Sequence, residues 1–289
     1  LIKMIASDMD GTLLTSHLSI SELNKDAVLK AQEQGIEFMV ATGRAYTEAK
    51  PPLEDAGIRC GMITGNGAQA FDVDGNEIFT ISIDKKIAKK VMAILRESGL
   101  YFELMTSKGV YSDSQPQRLE NFATLLAENI PHITFKMAIA MASTHLNMLH
   151  INYTESYDEL IESDDIEVLK VITFSDGGQE VLQPIAREIE KLDDVHVTSS
   201  FPNNIEINHI EAQKGVAVKR LAEAKGIDLK EVMTIGDNFN DVSMLEVAGV
   251  SFAMGNAEDG VKKVAKYEAE TNVNDGVGKA ILRAISENL

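Results

Sequence analysis

The sequence predicts an α/β fold: a parallel-sheet core built from both ends of the chain, with a second α+β domain inserted between them. Three observations carry this. Short apolar runs at 1–6, 36–41, 61–64, 232–235 and 250–254 have the near-unbroken hydrophobicity of strands buried on both faces. Helical segments alternate with these runs, which requires crossovers between parallel strands. Between 85 and 204 the alternation gives way to hairpins and mixed elements. The expected division is therefore 1–84 with 205–289 as core and 85–204 as the insertion.

In order, the first strand stops at Asp8, where Asp8-Met9-Asp10-Gly11-Thr12-Leu13-Leu14 sets two carboxylates beside a glycine turn. Ser19 or Ser21 can cap a helix running to about Gln34 and closed by Gly35, with Leu23, Ala27 and Ala31 on one face. The second strand ends in Thr42-Gly43-Arg44. A helix is expected from Ala45, broken or restarted at Pro51-Pro52. The third strand ends in Gly65-Asn66-Gly67, and 69–83 reads as two strands joined at Asp74-Gly75. In the insertion, helices are expected at 85–98, 118–128, 156–162 and 179–192. Strands are expected near 101–105, 110–112, 148–152, 168–174, 195–199 and 205–208. The Ala- and Met-rich stretch 138–149 has no assignable period. A helix at 213–225, the strand 232–235 with Gly236-Asp237-Asn238-Phe239-Asn240-Asp241, and the strand 250–254 with Gly255-Asn256-Ala257 restore the core pattern. Helices near 244–248, 260–265 and 276–287 complete it.

Length and composition bound the function. With 289 residues, 44% of them hydrophobic, the chain can bury one large core or two smaller ones. A net charge of −18 argues against general nucleic-acid binding but not against a small anionic substrate. One cysteine, Cys60, permits no internal disulfide and fits a reducing, cytoplasmic setting. No apolar run approaches a membrane span, and 1–6 reads as a core strand rather than an export signal. Leu1 is not an initiator methionine, so a residue or two is expected to precede it.

Polar clusters at four strand ends, Asp8/Asp10, Thr42-Gly43-Arg44, Asn66-Gly67 and Asp237/Asn240/Asp241, fall on one edge of a parallel sheet, where such sheets bind ligands. Singly, each has a plain explanation as a turn or helix cap, and Lys214 as a surface lysine. Together they make a site. Carboxylates facing one point need a cation, and oxygen donors suit Mg²⁺. A hydroxyl, a lysine and backbone N–H groups around it form a phosphoryl cradle. His17, His145, His150 and His209 show no metal-ligand spacing.

These motifs, in the order DMDGTLL, VATGR, NGA, KG, GDNFND and GNA, with Thr271-Asn272 and Asp275-Gly276-Val277 near the end, resemble the Cof-type sugar-phosphate phosphatases of the haloacid-dehalogenase-like superfamily. The resemblance spans essentially the whole chain. It implies a Rossmann-like core, a large inserted cap, and Mg²⁺-dependent hydrolysis of a small phosphorylated metabolite. Asp8 is then the expected nucleophile and Asp10 the general acid and base. The side chains of Asp8 and Asp237 and the Asp10 carbonyl would bind Mg²⁺. Met9, Thr42, Gly43, Lys214 and Asn240 would hold phosphate, with Asp241, Arg44 and Asn66 in support. A phosphomutase, or a phospholigand-binding regulator without turnover, would use the same residues. Pro51-Pro52 and the stretch 208–213 depart from the family pattern. On the cap, Arg118, His145, His150 and Tyr153 are the candidate substrate contacts.

Overall fold

The computed structural model describes residues 1–129, 132–145 and 151–289. The chain forms two compact units: Leu1–Ile81 with Thr198–Ser200 and Ile210–Leu289, and Ser82–Val197 with Phe201–His209.

The first unit begins with β1 (Met4–Ser7), α1 (Glu22–Glu33), β2 (Glu37–Ala41), α2 (Tyr46–Asp55), β3 (Gly61–Thr64), β4 (Gln69–Phe71) and β5 (Glu77–Thr80). The second contains α3 (Lys85–Glu97), β6 (Phe102–Thr106), β7 (Gly109–Ser112), α4 (Gln115–Asn129), α5 (Phe135–His145), β8 (Ile151–Tyr153), α6 (Tyr157–Glu162), β9 (Val168–Phe174), α7 (Gly178–Ile189), β10 (Val195–Thr198) and β11 (Asn204–His209). The first resumes with α8 (Lys214–Ala224), β12 (Val232–Gly236), α9 (Val242–Val247), β13 (Val250–Ala253), α10 (Asp259–Lys262), β14 (Tyr267–Glu268) and α11 (Gly276–Glu287).

The first sheet has the order β14-β13-β12-β1-β2-β3-β4-β5. Strands β14 through β3 pair in parallel, and the β4–β5 hairpin adds an antiparallel edge. Alternate residues of the apolar strands feed two cores, because successive side chains point to opposite faces. Ile5, Phe38, Val40, Met233 and Ile235 pack with α1, α2 and α11. Met4, Ala6, Met39 and Ala41 pack with Ala217, Val218 and Leu221 of α8 and Met244 of α9. Ser21 caps α1 by accepting from Asn24 N at 3.3 Å. The buried stripe of α1 is Asn24, Ala27, Val28 and Ala31, whereas Leu23 is 37% exposed.

Two expectations change here. Helix α2 runs through Pro51 and Pro52 without a break. Strand β11 pairs antiparallel with β9, so 205–209 belongs to the insertion's sheet rather than to the core. The return of apolar character at 205–207 reads alike in either sheet, and only the pairing partner distinguishes them.

The second unit's sheet has the order β10-β11-β9-β6-β7-β8. One face carries Phe102, Leu104, Val171, Ile205 and Ile207 against α3, α6 and α7. Alternate positions hold buried Glu103, Lys170, Glu206 and Asn208 instead, with Lys170 Nζ donating to Glu206 Oε1 at 2.7 Å. The Ala-rich sequence before residue 146 forms α5, which packs Ala138 and Ala142 on Ala123 of α4. Among the described residues no helix is long and apolar enough to cross a membrane.

Gly215, next to Lys214, lets α8 approach α9: a Cβ there would lie 2.2 Å from Ser243 O. Alanine would improve helix propensity by up to about 1 kcal/mol. Gly215→Ala is nonetheless expected to lower unfolding free energy by about 1–3 kcal/mol through overpacking. Urea titration measures this, and an equally stable variant would contradict the close approach.

Candidate active site

Strand β1 lies between β12 and β2, with Ser7 level with Ile235 on one side and Val40 on the other. Asp8, Asp237 and Thr42 therefore leave the carboxyl ends of three adjacent parallel strands. The connection from β1 passes to one side and β12 arrives on the other, so this is the sheet's switch point. After β1 the chain makes a wide turn in which Leu13 N donates to Asp8 O at 3.3 Å and Leu14 N to Met9 O at 2.8 Å. Gly11 sits in that turn at φ +75°, and a Cβ on it would lie 2.4 Å from Asp237 Oδ2. Both the conformation and the space call for glycine.

An ionic cluster occupies the edge. Lys214, the first residue of α8 and fully buried, donates to Asp8 Oδ1 and to Asp241 Oδ1, each at 2.6 Å. Asp241 Oδ2 accepts from the N–H groups of Asp237 at 2.8 Å and Asn238 at 3.0 Å. Thr12 Oγ1 donates to Asp237 Oδ1 at 2.6 Å. Burial opposes the charge on Lys214, but Asp241 and Asp8 overcome it and hold the ammonium's pKa above its usual value. Burial, reinforced by Asp241, pushes Asp237 up to about 7. Burial and the neighbouring carboxylates likewise push Asp8 well above the usual range, against the pull of Lys214.

Burial and crowding together cause these shifts: the buried carboxylates of Asp8 and Asp241 and the partly buried one of Asp237 surround one ammonium. Their ligand oxygens lie within 4.8 Å of one another. That donor set fits a hard divalent cation such as Mg²⁺, which binds oxygen and would offset the excess negative charge. Asp241 already accepts from a lysine and two amides, so Asp8 and Asp237 are the carboxylates with ligand capacity to spare. The Asp10 carboxylate is not in this cluster.

Asp10 joins a second group. Arg44 grips its carboxylate with both prongs, Nε to Oδ2 at 2.7 Å and Nη2 to Oδ1 at 2.6 Å. The remaining Nη1 donates to Glu48 O at 3.2 Å. In a regular helix Glu48 O would accept from the N–H of residue 52, which is proline and has none. The guanidinium thus takes a carbonyl that Pro52 leaves open, which is part of how α2 tolerates the proline. Burial works against the guanidinium charge, yet Asp10 raises the Arg44 pKa.

The remaining expected residues are placed as follows. Thr42 is buried, and its Oγ1 accepts from Arg44 N at 3.1 Å, leaving the hydroxyl proton to donate elsewhere. Gly43 lies between them. Asn66 is buried at φ +61°, donates its N–H to Thr42 O at 3.0 Å, and its Oδ1 accepts from Asn240 Nδ2 at 3.3 Å. Met9 is buried in the core, so only its backbone is available to a ligand. In the second unit Arg118 is ion-paired with Glu103 at 2.9 Å, and Tyr153 is 45% exposed on β8. His150 and the side chain of His145 lie outside the described residues. Thr12 was not singled out from sequence. The signal was a hydroxyl directly after the turn glycine, and its partner lies 225 residues away.

The family model described as haloacid dehalogenase-like hydrolase matches residues 5–281. The chain is 34% identical over 278 residues to the phosphatase YwpJ of Bacillus subtilis (strain 168), covering 96% of this chain and 97% of that one. It is 29% identical to 5-amino-6-(5-phospho-D-ribitylamino)uracil phosphatase YcsE of the same organism, covering 97% and 94%. Among solved structures, a haloacid dehalogenase-like hydrolase from B. subtilis superposes with TM-score 0.89 at 33% identity, covering 97% of this chain and 99% of that one.

Lys214→Met would remove the ammonium and leave Asp8 and Asp241 buried together. Removing one partner of a buried charge group is expected to lower stability by about 3–5 kcal/mol. Urea unfolding in metal-free buffer measures this, and a loss under about 1 kcal/mol would contradict the cluster's role.

Proposed function

The chain belongs to the haloacid dehalogenase-like hydrolase family, and on that premise we propose that it is a Mg²⁺-dependent phosphatase of the Cof type, acting through an aspartyl-phosphate. The observation that carries the reading is the Lys214 bridge between Asp8 and Asp241, with Asp237 in the same cluster. Lys214 holds Asp8 Oδ1, and we take Oδ2 as the attacking oxygen, with the second lone pair of Oδ1 as the one that would meet Mg²⁺.

In the first half-reaction Asp8 Oδ2 attacks phosphorus in line and the ester P–O bond breaks. The leaving oxygen takes a proton from Asp10. In the second, Asp10 takes a proton from water, whose oxygen attacks the phosphorus of the aspartyl-phosphate. The Asp8–phosphoryl bond breaks, releasing inorganic phosphate and restoring Asp8. Arg44 holds the Asp10 carboxylate by both oxygens; to act as the acid, Asp10 carries its proton on one oxygen with that prong of the Arg44 contact released. Thr42, Gly43, Asn240 and the Met9 backbone are assigned to the phosphoryl oxygens, and Asn66 to the support of Asn240. Asp8 and Asp237 would hold Mg²⁺ with the Asp10 carbonyl, and the ion would supply charge neutralisation at the phosphoryl oxygens. Thr12 and Asp241 fix the Asp237 carboxylate and backbone.

We assign the second unit as the family's cap, selecting small cytoplasmic substrates. A primary phosphate on a polyhydroxylated carbon chain is the favoured class. Two relatives at 29% identity carry the name of a phosphatase acting on 5-amino-6-(5-phospho-D-ribitylamino)uracil, which supports it.

Phosphate release from sugar and polyol phosphates should be abolished by EDTA and restored by Mg²⁺. Asp8→Asn should lower kcat by at least about 10³-fold while unfolding like the wild type. Wild-type turnover in Asp8→Asn, or turnover indifferent to EDTA, would sink the mechanism.

A further inference from the structure

In the turn that follows β1, Asp8 O and Met9 O accept from within the turn, whereas the carbonyls of Gly11, Leu13 and Leu14 accept from side chains. Three asparagines are the donors, one from the helix that follows and two from distant parts of the chain. Asn256 Nδ2 donates to Gly11 O at 2.8 Å, Asn272 Nδ2 to Leu14 O at 3.0 Å, and Asn24 Nδ2 to Leu13 O at 3.3 Å. Asn256 and Asn272 are linked, since Asn272 N donates to Asn256 Oδ1 at 2.9 Å. Asn24 is fully buried and also accepts from Gly278 N at 2.7 Å, which ties it to the core. Asn256 is exposed and belongs to the loop after β13.

The Asn256 contact falls on one particular peptide. Gly11 O belongs to the Gly11–Thr12 link, with Asp10 on one side of the glycine and the Asp237 partner Thr12 on the other. A glycine at positive φ has little steric resistance to rotation of its peptide plane. The Asp237 carboxylate stands on one side of Gly11, where a Cβ would meet it at 2.4 Å. The Asn256 amide fixes the carbonyl from another. Rotation of this plane would displace Asp10 relative to Arg44 and Thr12 relative to Asp237 together.

We propose that Asn256 is a positioning residue for the hydrolysis: by holding Gly11 O it sets the Asp10-Gly11-Thr12 turn so that Asp10 can deliver its proton to the leaving oxygen. This rests on the reading of Asp10 as general acid. Asn272 serves through Asn256, fixing the amide's orientation by occupying its oxygen.

The test exploits the leaving group. An alkoxide needs the proton from Asp10, whereas p-nitrophenolate departs without one. Asn256→Asp keeps an oxygen for Asn272 N and replaces the donor to Gly11 O with an acceptor, so the carbonyl is repelled. The quantity to compare is kcat/KM, which reports steps up to formation of the aspartyl-phosphate. For ribose 5-phosphate it should fall about tenfold or more, and for p-nitrophenyl phosphate by less than about threefold. The fold itself should be retained, because the lost hydrogen bond is exposed. Equal losses on the two esters, or none, would overturn the proposal while wild-type turnover still upheld the phosphatase reading. Amide hydrogen exchange provides a readout apart from activity. The Thr12 N–H, which shares the peptide with Gly11 O, should exchange faster in Asn256→Asp. Unchanged exchange there would overturn the brace even if the wild type hydrolysed neither ester.

Discussion

The buried contact of Lys214 with Asp8 and Asp241 is the interaction on which the site depends. A lysine with no exposed surface is held in place only by adequate counter-charge, and two carboxylates at 2.6 Å supply it. The arrangement overshoots: with Asp237 added, the pocket holds more negative than positive charge. A surplus of this kind is unfavourable in a protein interior unless a cation offsets it, so the geometry that stabilises Lys214 also prepares a site for a divalent ion. The same contact joins elements far apart in sequence, since Asp8 follows β1, Lys214 opens α8 and Asp241 precedes α9.

Close backbone approach makes this convergence possible. Gly11 admits the Asp237 carboxylate, Gly236 admits the Asp241 side chain, and Gly67 lets the loop after β3 rest on Gln213, beside Lys214. At each of these positions a Cβ would fall within 2.5 Å of its neighbour. The glycines of the strand-end motifs thus set distances between charged groups as much as they permit turns. Arg44 ties α2 to this edge: it grips Asp10, two residues after Asp8, while its third contact takes the Glu48 carbonyl that the proline in α2 leaves open.

Much of this was legible in the sequence because it rests on local rules. Unbroken apolar runs marked the core strands, and carboxylates and hydroxyls at their ends marked the edge where the site lies. The parts that escaped depend on partners distant in the chain. Pro51-Pro52 reads as a break because helix rules count only i and i−4, and Arg44 reaches the freed Glu48 carbonyl from outside that count. Thr12, Asn256 and Asn272 are polar residues in loops, indistinguishable by type from solvated ones until the fold brings them to Asp237, Gly11 and Leu14. The buried Lys170–Glu206 pair lies in strands whose alternating pattern suggests one solvated face, so its burial could not be read from periodicity.

The central claim is that Asp8, held by Lys214 through one oxygen, forms a covalent bond to phosphorus through the other. Acid-quenched turnover of p-nitrophenyl phosphate by the Asp10→Asn variant tests it most directly, because bond formation to this ester needs no general acid whereas hydrolysis of the intermediate needs a base. Peptide mass spectrometry should find a phosphoryl group on the peptide containing Asp8, at a level approaching one per chain. A burst of nitrophenol with the phosphoryl group on another residue, or turnover with no labelled peptide, would contradict the account.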